Sequence, residues 1–227
     1  ILAATPLLWG QVVLPEYSGN ADLVLSFYFL LAFGALVGNQ IVYAATFFGI
    51  AALVKNDALP ALVGFIFLLI VGSLLTKTKL QKTALVIAAG FLIFNIAWKA
   101  HYGLSNRFIE RDIGEVLAQR PFFKYNRYSL QAFREEFRQT HHWALGWMVI
   151  AFLVVTRARL VTKNRLILFA FLLFGAQFLG YLWVYYVNSE DQATEIATTI
   201  PRLSLALYPS ALLVASILSA KGRSAQK

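Results

Sequence analysis

The sequence predicts an all-α fold: a polytopic transmembrane helical bundle of about seven to eight membrane helices, with an outer loop containing amphipathic interfacial helices. Three observations carry this. Of 227 residues, 59% are hydrophobic and 14% charged, with a mean hydropathy of +0.65, too apolar for a soluble domain of ordinary composition. Apolar runs approaching membrane length recur along the chain, and the acidic residues are confined to alternate breaks between them or, for Asp22, to the run end beside one.

The runs cover 1–13, 22–38, 41–54, 59–75, 83–98, 143–156, 166–187 and 203–220. A spanning helix needs about 20 mostly apolar residues, because the hydrocarbon core is roughly 30 Å thick and a helix rises about 1.5 Å per residue. The pair 22–38 and 41–54, joined at Asn39-Gln40, is short, so tilt, snorkelling or burial among neighbours has to make up the length. The run 1–13 opens at Ile1 with no basic region ahead of it, which is unlike a signal peptide and predicts that the chain is the C-terminal part of a longer protein. The whole of 1–227 reads as one transmembrane domain, with 99–142 a long loop within it.

That loop has helical periodicity of its own. Ile109, Ile113, Val116 and Leu117 repeat at helical spacing after a Ser105 cap, and Pro121 ends the run. Leu130, Phe133 and Phe137 repeat likewise among Arg134, Glu135, Glu136 and Arg138. Two amphipathic helices lying in the interface are expected, either as part of a site or as a cover on the bundle.

Orientation follows from where charges sit. The 20 Lys and Arg residues divide evenly between the two sides, but the clusters Lys77/Lys79/Lys82, Arg157/Arg159/Lys163/Arg165 and Lys221/Arg223/Lys227 occupy short segments at helix ends, which the positive-inside rule weights most. All 11 acidic residues fall on the other side. The expected placement has the long loop on the outer side of the membrane and the C-terminus in the cytoplasm. A net charge of +9 is then a lipid-facing fringe, and nucleic acid is not an expected partner.

Ionisable groups at membrane-helix ends are costly unless solvated or paired, so each is a candidate site. Asp22 follows Tyr17-Ser18-Gly19-Asn20-Ala21, Lys55 precedes Asn56-Asp57, and Arg202 lies between Pro201 and Tyr208-Pro209. They come from three different helix ends. Brought together, a carboxylate can hold a cation or accept a proton, and Lys55 and Arg202 can neutralise phosphate oxygens. Left apart, each is a solvated helix terminus, and Asp22 would be favoured by the helix dipole alone. Asp57 and Glu195 are placed with this group as substrate-binding candidates, which leaves a divalent cation open as a cofactor.

His141 and His142 are a poor metal pair, since adjacent helical residues point about 100° apart. Absence of cysteine excludes disulfides and thiolate metal sites. No Gly-rich phosphate loop, nucleophile elbow or zincin motif is present.

Two segments carry a resemblance. Pro6-Leu7-Leu8-Trp9 through Pro15-Glu16-Tyr17-Ser18-Gly19-Asn20-Ala21-Asp22-Leu23, followed by Gly49-Ile50-Ala51-Ala52-Leu53-Val54-Lys55-Asn56-Asp57, resembles the middle of GT-C type membrane glycosyltransferases, the protein mannosyltransferases and aminoarabinose transferases. The ending Ala197-Thr198-Thr199-Ile200-Pro201-Arg202-Leu203 to Tyr208-Pro209 is similar to the entry of their last helix. The resemblance implies transfer of a sugar from a polyprenyl-phosphate donor to an acceptor on the periplasmic side of a bacterial inner membrane, which would make the long loop periplasmic. It places Asp22 as an acid near the active site, Lys55 near the donor phosphate and Arg202 at the last helix entry. Asn56 stands where relatives often have Gly. The family's catalytic base belongs to a first outer loop that precedes these segments, so this stretch alone is expected to be inactive.

Two rival functions make different demands. An O-antigen ligase or polymerase would rely on loop arginines such as Arg107, Arg111 or Arg127. A transporter or flippase would want repeated halves and ionisable groups near mid-membrane. No internal repeat is evident, and the polar residues inside the runs, Asn95 and Gln177, are better suited to single interhelical hydrogen bonds.

Overall fold

A computed structural model describes residues 21–76, 81–103, 122–143, 145–188 and 192–224, and among these residues regular structure is entirely helical. The helices are α1 (Ala21–Val37), α2 (Ile41–Val54), α3 (Leu59–Thr76), α4 (Lys82–His101), α5 (Phe122–Glu136), α6 (Thr140–Trp143), α7 (Gly146–Thr156), α8 (Ala158–Lys163), α9 (Arg165–Asn188) and α10 (Gln192–Ser224), with a 3-10 turn at Asn56–Ala58 between α2 and α3.

α1 and α2 form a tight antiparallel hairpin. The Gln40 N–H donates to the Ala35 carbonyl at 2.8 Å and the Asn39 N–H to Leu36 at 3.0 Å, the paired bonds of a Schellman termination. Asn39 supplies the left-handed residue this turn requires, at φ 60°. At the far end of α2, Lys55 leaves the helix in an extended conformation (φ −154°, ψ 136°). The chain then turns into α3, whose first turn accommodates Pro60 because its missing N–H would find no helical partner there.

α1 lies at the centre, packed on both α2 and α10; α2 also packs on α4, α9 on α3, α7 on α10, and α5 on α9 and α10. The aromatic core links four of these helices. Phe29, Phe33, Phe48 and Phe65 meet edge-on or tilted, and Phe33 stacks on Phe174 with ring centroids 4.2 Å apart. Edge-to-face and offset contacts suit the ring quadrupole and add to the burial of these large side chains. Backbones also approach closely: a Cβ at Gly49 would overlap the Phe91 ring of α4. Asn95 of α4 donates to the Ala52 carbonyl of α2 at 2.9 Å, a single interhelical hydrogen bond.

Outward faces are as apolar as the core. Phe67, Val86, Ile93, Phe94, Phe152, Val155 and Leu179 are all more than half exposed, which suits lipid rather than water as the surrounding solvent. Four stretches, Asn56–Leu74, Lys82–His101, Arg165–Val184 and Ile200–Ala220, are long and apolar enough to cross a membrane. Ala21–Val37, Ile41–Val54 and Gly146–Thr156 are shorter apolar helices. The described bundle thus has four helices of spanning length where the sequence predicted about seven to eight. The expected run 1–13 and the expected helix at 109–117 lie outside the described residues.

Two expected boundaries are corrected. The run 143–156 is broken, with Trp143 closing the one-turn α6 and α7 starting only at Gly146. Here Trp143 turns into the core against Tyr208, and a Cβ on Gly146 would overlap the Tyr208 hydroxyl, so side-chain packing on α10 fixes the break. The run 203–220 is extended to Gln192–Ser224, which takes Pro201 and Arg202 into the helix alongside the Pro209 already expected there. An internal proline removes one backbone hydrogen bond, and burial of Ile200 and of 203–212 along α10 holds the helix together across both prolines.

Candidate functional site

Asp22 sits in the first turn of α1, where the positive end of the helix dipole favours a carboxylate. It is fully buried. Such a charge is tolerated inside only when its oxygens are paired, and here each has its own cation. Lys55 Nζ lies 2.5 Å from Oδ1, and Arg202 Nε donates to Oδ2 at 2.6 Å.

Local structure explains the convergence. Because α2 terminates abruptly at Val54, Lys55 is free of the helix and its side chain reaches across to the start of α1. Asp57, in the 3-10 turn, meets the same ammonium at 2.7 Å. Gln177 of α9 donates its amide to the Asp57 carbonyl and ties this turn to a fourth helix. Arg202 follows Pro201 on α10, which packs along α1, so continuation of the helix through the proline is what holds the guanidinium beside Asp22.

The site has a floor and a rim. Asp22 is 1% exposed at its side chain, while Lys55, Asp57 and Arg202 are 25%, 29% and 38% exposed. The buried carboxylate therefore fixes two cations whose outer sides face solvent. Arg202 commits its Nε to Asp22; a guanidinium has five N–H donors, so the terminal pair of nitrogens retains the forked geometry that matches phosphate or carboxylate oxygens. Two cations and two anions in contact give no net formal charge, so any attraction for an anion is short-range and directional.

Of the residues expected from sequence, the structure brings Asp22, Lys55, Asp57 and Arg202 together. Glu195 belongs to α10 by its backbone, but its side chain lies outside the described set, as do Arg107 and Arg111. Arg127 is exposed on α5. Among the described residues, no group of three or more metal-ligating side chains gathers; Asp22 and Asp57 share an ammonium instead.

A second polar cluster escaped sequence reasoning. Glu136, at the end of α5, is almost fully buried and accepts from Trp143 Nε1 at 2.9 Å, and its Oε1 lies 2.6 Å from His142 Nδ1. Along one continuous helix, residues six or seven apart are separated by roughly 9–10.5 Å, too far to hydrogen-bond, and these side chains meet because the chain turns between α5 and α6. His142 is thus held by a carboxylate. His141 lies outside the described side chains.

No protein-family model, curated protein or solved structure matches this chain.

Proposed function

We propose that the protein is a membrane glycosyltransferase that moves a sugar from a polyprenyl-phosphate donor to an acceptor at the membrane surface, and that the Asp22 cluster holds the donor's phosphate. The observation that carries this reading is the buried Asp22 carboxylate gripping Lys55 and Arg202 side by side, at 2.5 and 2.6 Å, with both cations reaching the surface at one end of an apolar bundle. The likeness of the segments around these three residues to GT-C glycosyltransferases supports it.

The physical logic is that of a lipid-linked donor. An isoprenoid tail stays in the hydrocarbon while its phosphosugar head reaches the interface, so a phosphate site belongs at helix ends. In transfer, an acceptor hydroxyl oxygen bonds to the anomeric carbon, the bond from that carbon to the phosphate oxygen breaks, and the lipid phosphate leaves with the electron pair. The acceptor's proton passes to a base, for which no residue is assigned. Negative charge grows on the phosphate, and Lys55 and Arg202 are placed to stabilise it. Asp22 acts as a positioning residue that holds both cations before the donor arrives. In this reading the Asp22 end is periplasmic and the basic end cytoplasmic, following the positive-inside rule.

The test uses the full-length protein in proteoliposomes with a panel of polyprenyl-phosphate sugars, following release of polyprenyl phosphate. Arg202→Gln and Lys55→Gln should each lower turnover about 100-fold, the usual cost of removing one fixed donor from developing charge, while far-ultraviolet dichroism stays unchanged. Unaltered turnover in Arg202→Gln removes the cluster from the reaction. Transport of the lipid-linked sugar without cleavage would favour a flippase.

A further inference from the structure

At the end of the bundle opposite Asp22, a groove of about 560 Å³ opens between the α1–α2 turn, the C-terminal half of α3 and the start of α9. The 17-residue α1 separates the two ends by about 25 Å, so this is a distinct place in the molecule. Its wall is apolar, with Leu69 from α3 and Phe169 and Leu172 from α9. Its rim is polar, with Asn39, Gln81 and Arg165. Leu172 is about half exposed, so the groove opens sideways onto the face where lipid would lie.

We infer that this groove binds one anionic phospholipid from the surrounding leaflet, an acyl chain lying along Leu69, Phe169 and Leu172 and the phosphate resting at Arg165. Charge complementarity selects this occupant. Arg165 is exposed and continues a cationic band formed by Arg157, Arg159 and Lys163, and no Asp or Glu occurs anywhere in 137–189 or 58–109 to compete for it. Two helix N-termini add to the field: neither Gln40, ahead of α2, nor Gln81, ahead of α4, caps its helix with a side-chain hydrogen bond, and Ile41 and Gln81 line the groove. The positive ends of both dipoles therefore favour an anion there. By contrast, α9 is capped by Asn164, whose Oδ1 accepts from Leu166 and Ile167 N–H groups, leaving the Arg165 side chain to carry the charge. The volume lies within the range of about 300–1,000 Å³ typical of small-molecule sites, enough for a specific seat rather than a general annulus. A neutral, zwitterionic lipid fills the same wall but gains less from the rim. This inference does not depend on the sugar-transfer reading, since it concerns the other end of the molecule.

The test is native mass spectrometry of the full chain released from nanodiscs of equal parts palmitoyl-oleoyl phosphatidylglycerol and phosphatidylcholine. Wild type should retain phosphatidylglycerol over phosphatidylcholine, and Arg165→Gln should lower that retention about fivefold, the usual contribution of one basic side chain at an anionic surface. Leu69→Trp, which fills the groove, should remove the retained lipid, and Arg138→Gln, an exposed cation in the turn that follows α5, should leave it unchanged. Equal retention of the two lipids, or wild-type retention in Arg165→Gln or Leu69→Trp, overturns the proposal. So does displacement of phosphatidylglycerol by an equimolar polyprenyl phosphate, which would make the groove a second seat for the prenyl carrier.

Discussion

Asp22 and Arg202 are 180 residues apart in the chain, yet their side chains meet at 2.6 Å, joining the first and last described helices through a carboxylate that water does not reach. Breaking a buried pair by removing one partner costs about 3–5 kcal/mol when both groups are shielded. Arg202 is partly solvated and Lys55 still holds Asp22, so the smaller end of that range, or less, applies to Arg202→Gln.

A double-mutant cycle measures the link directly. Thermal or denaturant unfolding in detergent should show that Asp22→Asn and Arg202→Gln are each destabilising and that together they cost less than their sum, with a coupling of about 1–2 kcal/mol. Additivity within about 0.5 kcal/mol would mean that the two side chains do not act on each other in the folded protein.

The second prediction concerns backbone approach. Gly49→Ala places a methyl group against the Phe91 ring near its attachment to the chain, where the ring cannot simply swing aside. Overpacking of this kind costs about 1–3 kcal/mol, so a lowered unfolding temperature is expected, with substantial recovery in Gly49→Ala/Phe91→Ala. A Gly49→Ala protein as stable as wild type would place α2 and α4 farther apart than described.

The third addresses Glu136. Replacement by Leu leaves the indole N–H of Trp143 without its acceptor inside the core, at a cost of about 1–3 kcal/mol, whereas Glu136→Gln keeps an acceptor oxygen and should cost less. Limited proteolysis between α5 and α6 should accelerate in Glu136→Leu and remain close to wild type in Glu136→Gln. Equal rates in both variants and the parent would show that α5 is held by its apolar face alone, through contacts such as Phe133 on Phe178.

What was legible in the sequence was mostly what hydrocarbon forbids. Asp22, Lys55, Asp57 and Arg202 stand out because charges beside apolar runs need a partner, and the fold supplies one for each. The turn at Asn39-Gln40 was legible because two polar amides interrupt the apolar runs on either side, whereas the left-handed backbone at Asn39 is a finding of the structure. Other features depend on tertiary packing. Pro201 lies just ahead of the expected run 203–220, and only the structure shows that the helix continues through it. The Glu136, His142 and Trp143 contact spans a chain reversal, so no periodicity advertises it.

The separation of Asp22 from its two cations also imposes an order of events during biosynthesis. Lys55 lies only 33 residues downstream, within the same hairpin, whereas Arg202 lies 180 residues downstream. At a synthesis rate of about 5–20 residues per second, Arg202 follows Asp22 by roughly 10–40 s. Through that interval the nascent hairpin carries its own counter-ion, and Lys55 acts as a chaperoning charge until α10 arrives to seal the assembly.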